Sequence, residues 1–163
     1  MREYERKGVA SVFLAFEPLS GKRLVRVYPR RTKADYCRFQ QEVAEHWSGA
    51  EVVIEVQDNL NTHNASSFYE NLPPAQAYAL MKRFELHYTP KKGSWLNMAE
   101  LELSALARQC LARRIPDIEI LSRELESVVK ERNDLEIKVK WQLTVEKARE
   151  KLNRHYENVI TTT

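Results

Sequence analysis

A run of β-branched residues, Val52, Val53, Ile54 and Val56, breaks off into the polar burst Gln57, Asp58, Asn59, Asn61, Thr62, His63 and Asn64. No other feature constrains this chain as much. Branching at Cβ suits the pleated surface of a sheet, and a continuous apolar run predicts a strand buried on both faces. Ligands collect at the carboxyl ends of buried parallel strands, where the strand fixes the backbone and the following loop presents side chains. Asp58 stands at such an end. An Asx turn or a helix cap just after the strand accounts for an aspartate there equally well.

The flanking segments supply strands and helices in alternation. Val9 to Phe16 is apolar and β-prone, Glu17 to Gly21 carries turn chemistry, and Leu24, Val25 and Val27 resume an extended pattern up to Pro29, which predicts a hairpin. A helix follows from Thr32 as N-cap, with Tyr36, Phe39, Val43 and Trp47 near one face and Gly49 ending it. Ala65 to Arg83 predicts a helix in two pieces, interrupted at Pro73 and Pro74. Phe84, Leu86 and Tyr88 alternate with Glu85 and His87 as a short strand. From about Trp95 the stripe Leu96, Ala99, Leu103, Leu106 and Cys110 predicts another helix. Two more are expected near Asp117, with Ile118, Leu121, Leu125 and Val128, and near Thr144, with Val145, Ala148, Leu152, Tyr156 and Val159.

At 163 residues the chain has room for one domain with a real core and a helical tail. An apolar fraction of 43% and a charged fraction of 30% exclude disorder, and no apolar run is long enough for a membrane span. Arg2, Glu3, Glu5, Arg6 and Lys7 follow Met1 directly, so no leader is read and a cytoplasmic location is expected. Cys37 and Cys110 have neither a zinc spacing nor a disulfide framework, and are expected as free thiols on apolar helix faces. The net charge of +3 is compatible with a polyanion partner without requiring one. Basic residues gather at Lys22 to Lys33, at Lys91 and Lys92, and at Arg108, Arg113 and Arg114; solubilising surface charge accounts for any one cluster alone.

If Asp58 holds a divalent cation, it needs a second carboxylate, because Mg²⁺ takes oxygen ligands from a few carboxylates and substrate phosphate. Glu100 and Glu102 are the candidates. At 100° per residue both flank the apolar stripe of their helix at similar angles, so periodicity does not choose between them. Glu100 lies nearer the helix start.

The segments VQDNLNTHN at 56–64 and HYTPKKGSWLNMAELELSALARQCLARRIPD at 87–117 resemble transposases of the insertion-sequence-630 family, within the mariner-like D-D-E superfamily. The likeness extends through GVASVFLAFEPLSGKR and RRTKADYCRF to the tail WQLTVEKAREKL, and so covers nearly the whole chain. It implies an α/β, ribonuclease-H-like fold whose mixed sheet carries one Asp on its first strand, a second Asp at the end of its fourth, and a Glu on a later helix. Residues 7–115 would be a partial catalytic core, and 116–163 a C-terminal helical extension of the same domain. The second Asp corresponds to Asp58, and the Glu of an N-x-x-E motif to Glu100 in Asn97-Met98-Ala99-Glu100. Glu102 then becomes a surface residue or a support for the site. Asn59, His63 and Asn97 would support the two carboxylates, with a satisfied structural histidine as the plainer role for His63.

The implied activity is DNA strand cleavage and transfer during transposition, with two Mg²⁺ or Mn²⁺ ions held by three carboxylates. Arg31, Lys91, Lys92 and Arg108 would bind phosphates of double-stranded DNA without reading sequence. The first Asp of the pattern is missing: no apolar strand fits between Met1 and Lys7, and neither Glu17 nor Asp35 replaces it by motif. Lys92 also stands where a histidine is common. The chain alone is therefore expected to be inactive, with an upstream segment carrying the first Asp and a helix-turn-helix domain as its partner. Homodimerisation and a bacterial or archaeal, nucleoid-associated setting are further expectations. A non-catalytic DNA-binding or oligomerising remnant of a transposase is the alternative reading.

Overall fold

The computed structural model describes residues 8–58, 60–89, 98–139, 146, 149 and 150. Two strands, β1 (Ser11–Glu17) and β2 (Lys22–Tyr28), form an antiparallel hairpin in which Ser11 pairs with Tyr28 and Glu17 with Lys22. Its turn needs Gly21 twice over. The residue has φ +81°, and a Cβ there would meet backbone atoms of Glu136 and Ile137 at 3.1 Å.

Period-two alternation divides the hairpin between two cores. Phe13, Leu24 and Tyr28 face helix α1 (Lys33–His46), joining Tyr36, Cys37, Phe39 and Val43 in one buried cluster. Val25 joins Leu106 and Cys110 of α4 (Met98–Cys110) and Leu125 and Val129 of α5 (Ile118–Asp134) in the other. Both faces of the hairpin are thus covered.

The helix starts follow local chemistry. Thr32 caps α1 in a reciprocal box, its hydroxyl accepting from the Asp35 amide at 3.1 Å while the Asp35 carboxylate accepts from the Thr32 amide at 3.0 Å. Asp117 caps α5 by accepting from the Ile120 amide at 2.8 Å. Pro74 opens α3 (Pro74–Met81), separating it from α2 (Ser66–Asn71), since proline lacks the N–H that a continuing helix needs. At the other end of α1, the Arg83 guanidinium donates to the carbonyl of Ala44 in the last turn, of the cap residue Trp47, and of Ala50 and Glu51 in the loop that follows.

Strand β3 (Val53–Gln57) pairs in parallel with β4 (Phe84–Tyr88), Val53 opposite Phe84 and Gln57 opposite Tyr88. The single mixed sheet implied by the resemblance is therefore seen as two two-stranded ribbons among the described residues. The reading of β3 as buried on both faces is corrected. Val53 packs on the α1 cluster, but Ile54 is 67% and Val56 57% exposed. Among the described residues the strand pairs along one edge only, and no helix covers the face that Ile54 and Val56 present. Both cysteines are free and buried as expected, one in each cluster. Trp95, Leu96 and the helix expected near Thr144 lie outside the described residues. No helix among the described residues is long and apolar enough to cross a membrane.

Candidate functional site

The polar burst after β3 folds back on itself. The Leu60 amide donates to the Asp58 carbonyl and the His63 amide to the Leu60 carbonyl, each at 2.9 Å. Two side chains latch the loop to its neighbours: Gln57 donates to the His63 carbonyl at 3.1 Å, and Ser67 of α2 to the Thr62 carbonyl at 2.8 Å. The Gln57 amide oxygen accepts in turn from the Tyr36 hydroxyl at 3.0 Å. The His63 ring stacks on Tyr36, with centroids 4.8 Å apart and planes at 18°. These contacts fix the ring, and its Nδ1 lies 2.8 Å from Asp58 Oδ1.

Burial lowers the His63 pKa below the usual histidine range, with the positive charge of Arg31 adding to it and the hydrogen bond and charge of Asp58 opposing it. His63 is thus neutral at pH 7. With Asp58 as acceptor, the proton sits on Nδ1, and the buried Nε2 has no partner. Asp58 keeps its second carboxylate oxygen on a side chain that is 44% exposed.

Asp58 and His63 open onto a cavity of about 650 Å³ between β1 and β3, lined also by Arg31 and by Met98, Ala99, Glu100 and Leu103 of α4. Residues far apart in sequence, Asp58 and Glu100, therefore line one cavity. Glu100 lies in the exposed first turn of α4, and a helix start favours a carboxylate. The structure also separates the two glutamates that helical period left equivalent. Glu102 is 1% exposed, 2.5 Å from Arg23 Nε and 2.7 Å from Arg132 Nε. Burial would raise its pKa, but the two guanidiniums outweigh burial and hold it below the carboxylate range. The expectation that Glu102 is a surface or site-supporting residue is corrected: it is an internal tie between β2, α4 and α5.

Arg31 is exposed at the mouth of the cavity. Arg108 is exposed in the last turn of α4 and does not line it. Asn59, Lys91, Lys92 and Asn97 lie outside the described residues. Glu17 lines the same cavity but accepts from Trp47 Nε1 at 2.7 Å, and Asp35 caps α1.

Two lining residues were not foreseen. Glu55 faces α1, where its Oε1 accepts from Gln40 Nε2 at 2.9 Å while its Oε2 and the Gln40 oxygen have no partner. Burial pushes the Glu55 carboxyl up to about 7. A charge inside a β-branched run was the signal that could have found it. Among the described residues no three acidic, histidine or cysteine side chains converge as a metal cluster.

An aspartate at a strand end and a glutamate on a later helix thus line one cavity. The model of the DDE superfamily endonuclease family matches residues 1–122, and the chain belongs to that family. No curated protein and no solved structure matches the chain.

Proposed function

We propose that this chain is the catalytic-core portion of a transposase of the insertion-sequence-630 and mariner-like kind, ribonuclease-H-like in fold, acting by metal-dependent phosphoryl transfer on double-stranded DNA. The observation that carries this reading is the shared cavity of Asp58 and Glu100, in a chain of the DDE superfamily endonuclease family. Asp58 and Glu100 would hold Mg²⁺ or Mn²⁺. When bound, such ions activate the attacking water or 3′-hydroxyl and stabilise the leaving oxygen. His63, held by Tyr36, orients Asp58 through Nδ1 and leaves the other carboxylate oxygen for the cation. Arg31 gives the cavity mouth a fixed positive charge for a phosphate, and Lys91, Lys92 and Arg108 extend the phosphate contacts.

The two-carboxylate set also supports the need for a third ligand from an upstream segment. Glu17 is tied to Trp47, and Glu55 is held between β3 and α1. A helix-turn-helix domain on that upstream segment would recognise the transposon ends.

The test is nicking of supercoiled DNA in Mg²⁺ or Mn²⁺. Residues 1–163 alone should give no nicking above background, and a polypeptide extended upstream through one further strand should nick. Asp58→Asn and Glu100→Gln in the longer chain should each abolish cleavage with the fold retained. Robust Asp58-dependent nicking by residues 1–163 would overturn the missing-ligand claim. Nicking that survives both substitutions would overturn the site itself and leave a DNA-binding or oligomerising remnant. Neutralising Arg31, Lys91 and Lys92 together should weaken binding to unrelated duplexes alike and lower the salt slope by about three, since each phosphate contact releases about one counterion.

A further inference from the structure

Helix α1 meets β3 in three rungs. A helix turn rises about 5.4 Å and two residues of a strand about 6.6 Å, so side chains one turn apart on α1 meet alternate side chains of β3. Tyr36 donates to Gln57 Oε1 at 3.0 Å, Gln40 donates to Glu55 Oε1 at 2.9 Å, and Val53 packs on the cluster that holds Val43. The first rung sets the Asp58 loop, because Gln57 donates to the His63 carbonyl and the Tyr36 ring stacks on the His63 ring. The last rung is apolar. The middle one joins an amide to a carboxyl group.

That middle rung does not balance with Glu55 ionised. A carboxylate only accepts, and the amide oxygen of Gln40 only accepts as well. Glu55 Oε2 and Gln40 Oε1 would then be two buried acceptors without a donor, on the very groups that the Gln40 bond brings together. Gln40 is 1% exposed, so bulk water does not reach its oxygen. Tyr36, one turn away, has already given its hydrogen to Gln57.

No neighbouring charge answers a carboxylate there either. Burial raises the Glu55 carboxyl and only the Gln40 hydrogen bond opposes it. From α1, Tyr36 faces it and has its own pKa raised by burial and then by the Glu55 charge. On β4, Leu86 pairs with Glu55, and Tyr88 stands two residues beyond. Glu17, Arg31, Asp58, His63 and Glu100 line the shared cavity without entering its balance. A proton on Oε2 resolves the rung: the acid O–H donates to the Gln40 oxygen while the Gln40 N–H donates to Oε1. One proton satisfies both orphaned oxygens and leaves no charge inside.

We infer that Glu55 is a neutral carboxylic acid closing a ring of two hydrogen bonds with Gln40, and that this ring positions Asp58 and His63 by fixing β3 against α1. Glu55 is a positioning residue in this role, acting through the neighbouring rung of Tyr36 and Gln57. Loss of its proton, released to solvent, sets a negative oxygen against the amide oxygen and loosens α1 from β3 one rung before the Asp58 loop. The folded chain keeps this proton up to about 7, whereas the unfolded chain releases it from 4.5, so the ring is lost as pH rises through 7. The consequence for catalysis rests on the site proposed above; the ring itself does not.

The test uses isotope-labelled residues 1–163 with neither metal nor DNA. Nuclear magnetic resonance reads the Glu55 carboxyl carbon, assigned through its own backbone, and the Gln40 amide hydrogens. The carbon should resonate as a protonated acid at pH 6 and move to the carboxylate position with a midpoint near 7, the Gln40 hydrogens shifting with it. Hydrogen exchange, corrected for the intrinsic effect of pH, should show the Leu60 and His63 amides losing protection about tenfold between pH 6 and pH 8, the linkage of a carboxyl raised to about 7. Glu55→Gln, whose amide donates in place of the acid, should hold that protection level across the range. Glu55→Leu, which has no donor, should lack it at both values. His63 is common to all three chains, so the differences belong to Glu55. A Glu55 carboxyl ionised at pH 6 overturns the inference, whatever the variants do. So does a protonated Glu55 whose titration leaves the Leu60 and His63 protection unchanged, since the ring would then position nothing. Absence of nicking in the extended chain leaves a protonated, loop-holding Glu55 standing, and an ionised Glu55 leaves the nicking result standing.

Discussion

The two sides of the hairpin solve the same problem differently. Toward α4 and α5, the one buried carboxylate, Glu102, is met by Arg23 and Arg132, and Arg23 also donates to the carbonyls of Gly21 and Ile137. Toward β3, polar groups enter the interior without full partners: Gln40 and Glu55 share one hydrogen bond, and each keeps an orphaned oxygen. Burying polar groups costs free energy unless they are bonded, so the first side, where Asn133 Oδ1 lacks a partner but the buried charge is fully paired, is closer to self-sufficient than the second, where a carboxylate oxygen lacks one. We therefore assign stability chiefly to the first side, while the candidate site lies on the second.

The contrast breaks most sharply at Glu102. Glu102→Ala leaves the Arg23 guanidinium buried and without its carboxylate, and should destabilise the chain by about 3–5 kcal/mol in urea unfolding. A loss below about 1 kcal/mol would show that the sealed side does not carry the stability assigned to it.

Glu55 sharpens the comparison with the opposite sign. Burial raises its carboxyl from the usual 4.5 to about 7 in the folded chain, so the folded state holds the proton more tightly. Stability from this group is present below pH 4.5 and lost as pH rises through 7. Glu55→Gln keeps an oxygen for Gln40 and removes the charge, and should stabilise the chain at pH 8 by up to about 3 kcal/mol, with no gain at pH 4. An equal effect at both values would rule out burial of the charge as the cause.

His63 works in the other direction and more weakly. Its pKa is lowered by burial against the hydrogen bond to Asp58, so the unfolded chain takes up a proton first as pH falls below 6.5. Stability should decline there, and His63→Asn should flatten that limb of the curve in thermal melts across pH 5 to 7. A limb that persists unchanged would assign it to another group. The smallest effect belongs to the uncovered face of β3, where Ile54→Ser and Val56→Ser should each change stability by no more than about 0.5 kcal/mol. A larger loss from either would mean that this face is packed in solution.

The features legible in the sequence were those set by neighbours in the chain. Thr32 and Asp117 declare helix starts because a cap bonds within three residues, and Gly21 and the Pro73-Pro74 pair mark turns through their own backbone limits. Asp58 was legible because a strand end is a local event. Glu100 needed the likeness of its motif, since helical period placed Glu102 as well. The features that escaped depend on distant partners. Arg23 and Glu102 meet across 79 positions, and nothing near either one announces it. The exposure of Ile54 and Val56 escaped for the same reason, because a β-branched run specifies a strand without specifying what covers it.

The thiols of Cys37 and Cys110 turn this division into something a reagent can read. One lies in each core cluster, both are buried, and burial raises both pKa values, so neither reacts while its half is closed. Labelling under native conditions, followed by mass spectrometry of the two peptides, would report how often each half opens. The protein thus carries two internal clocks, and the one at Cys37, in the cluster that adjoins the incompletely bonded side, should run faster.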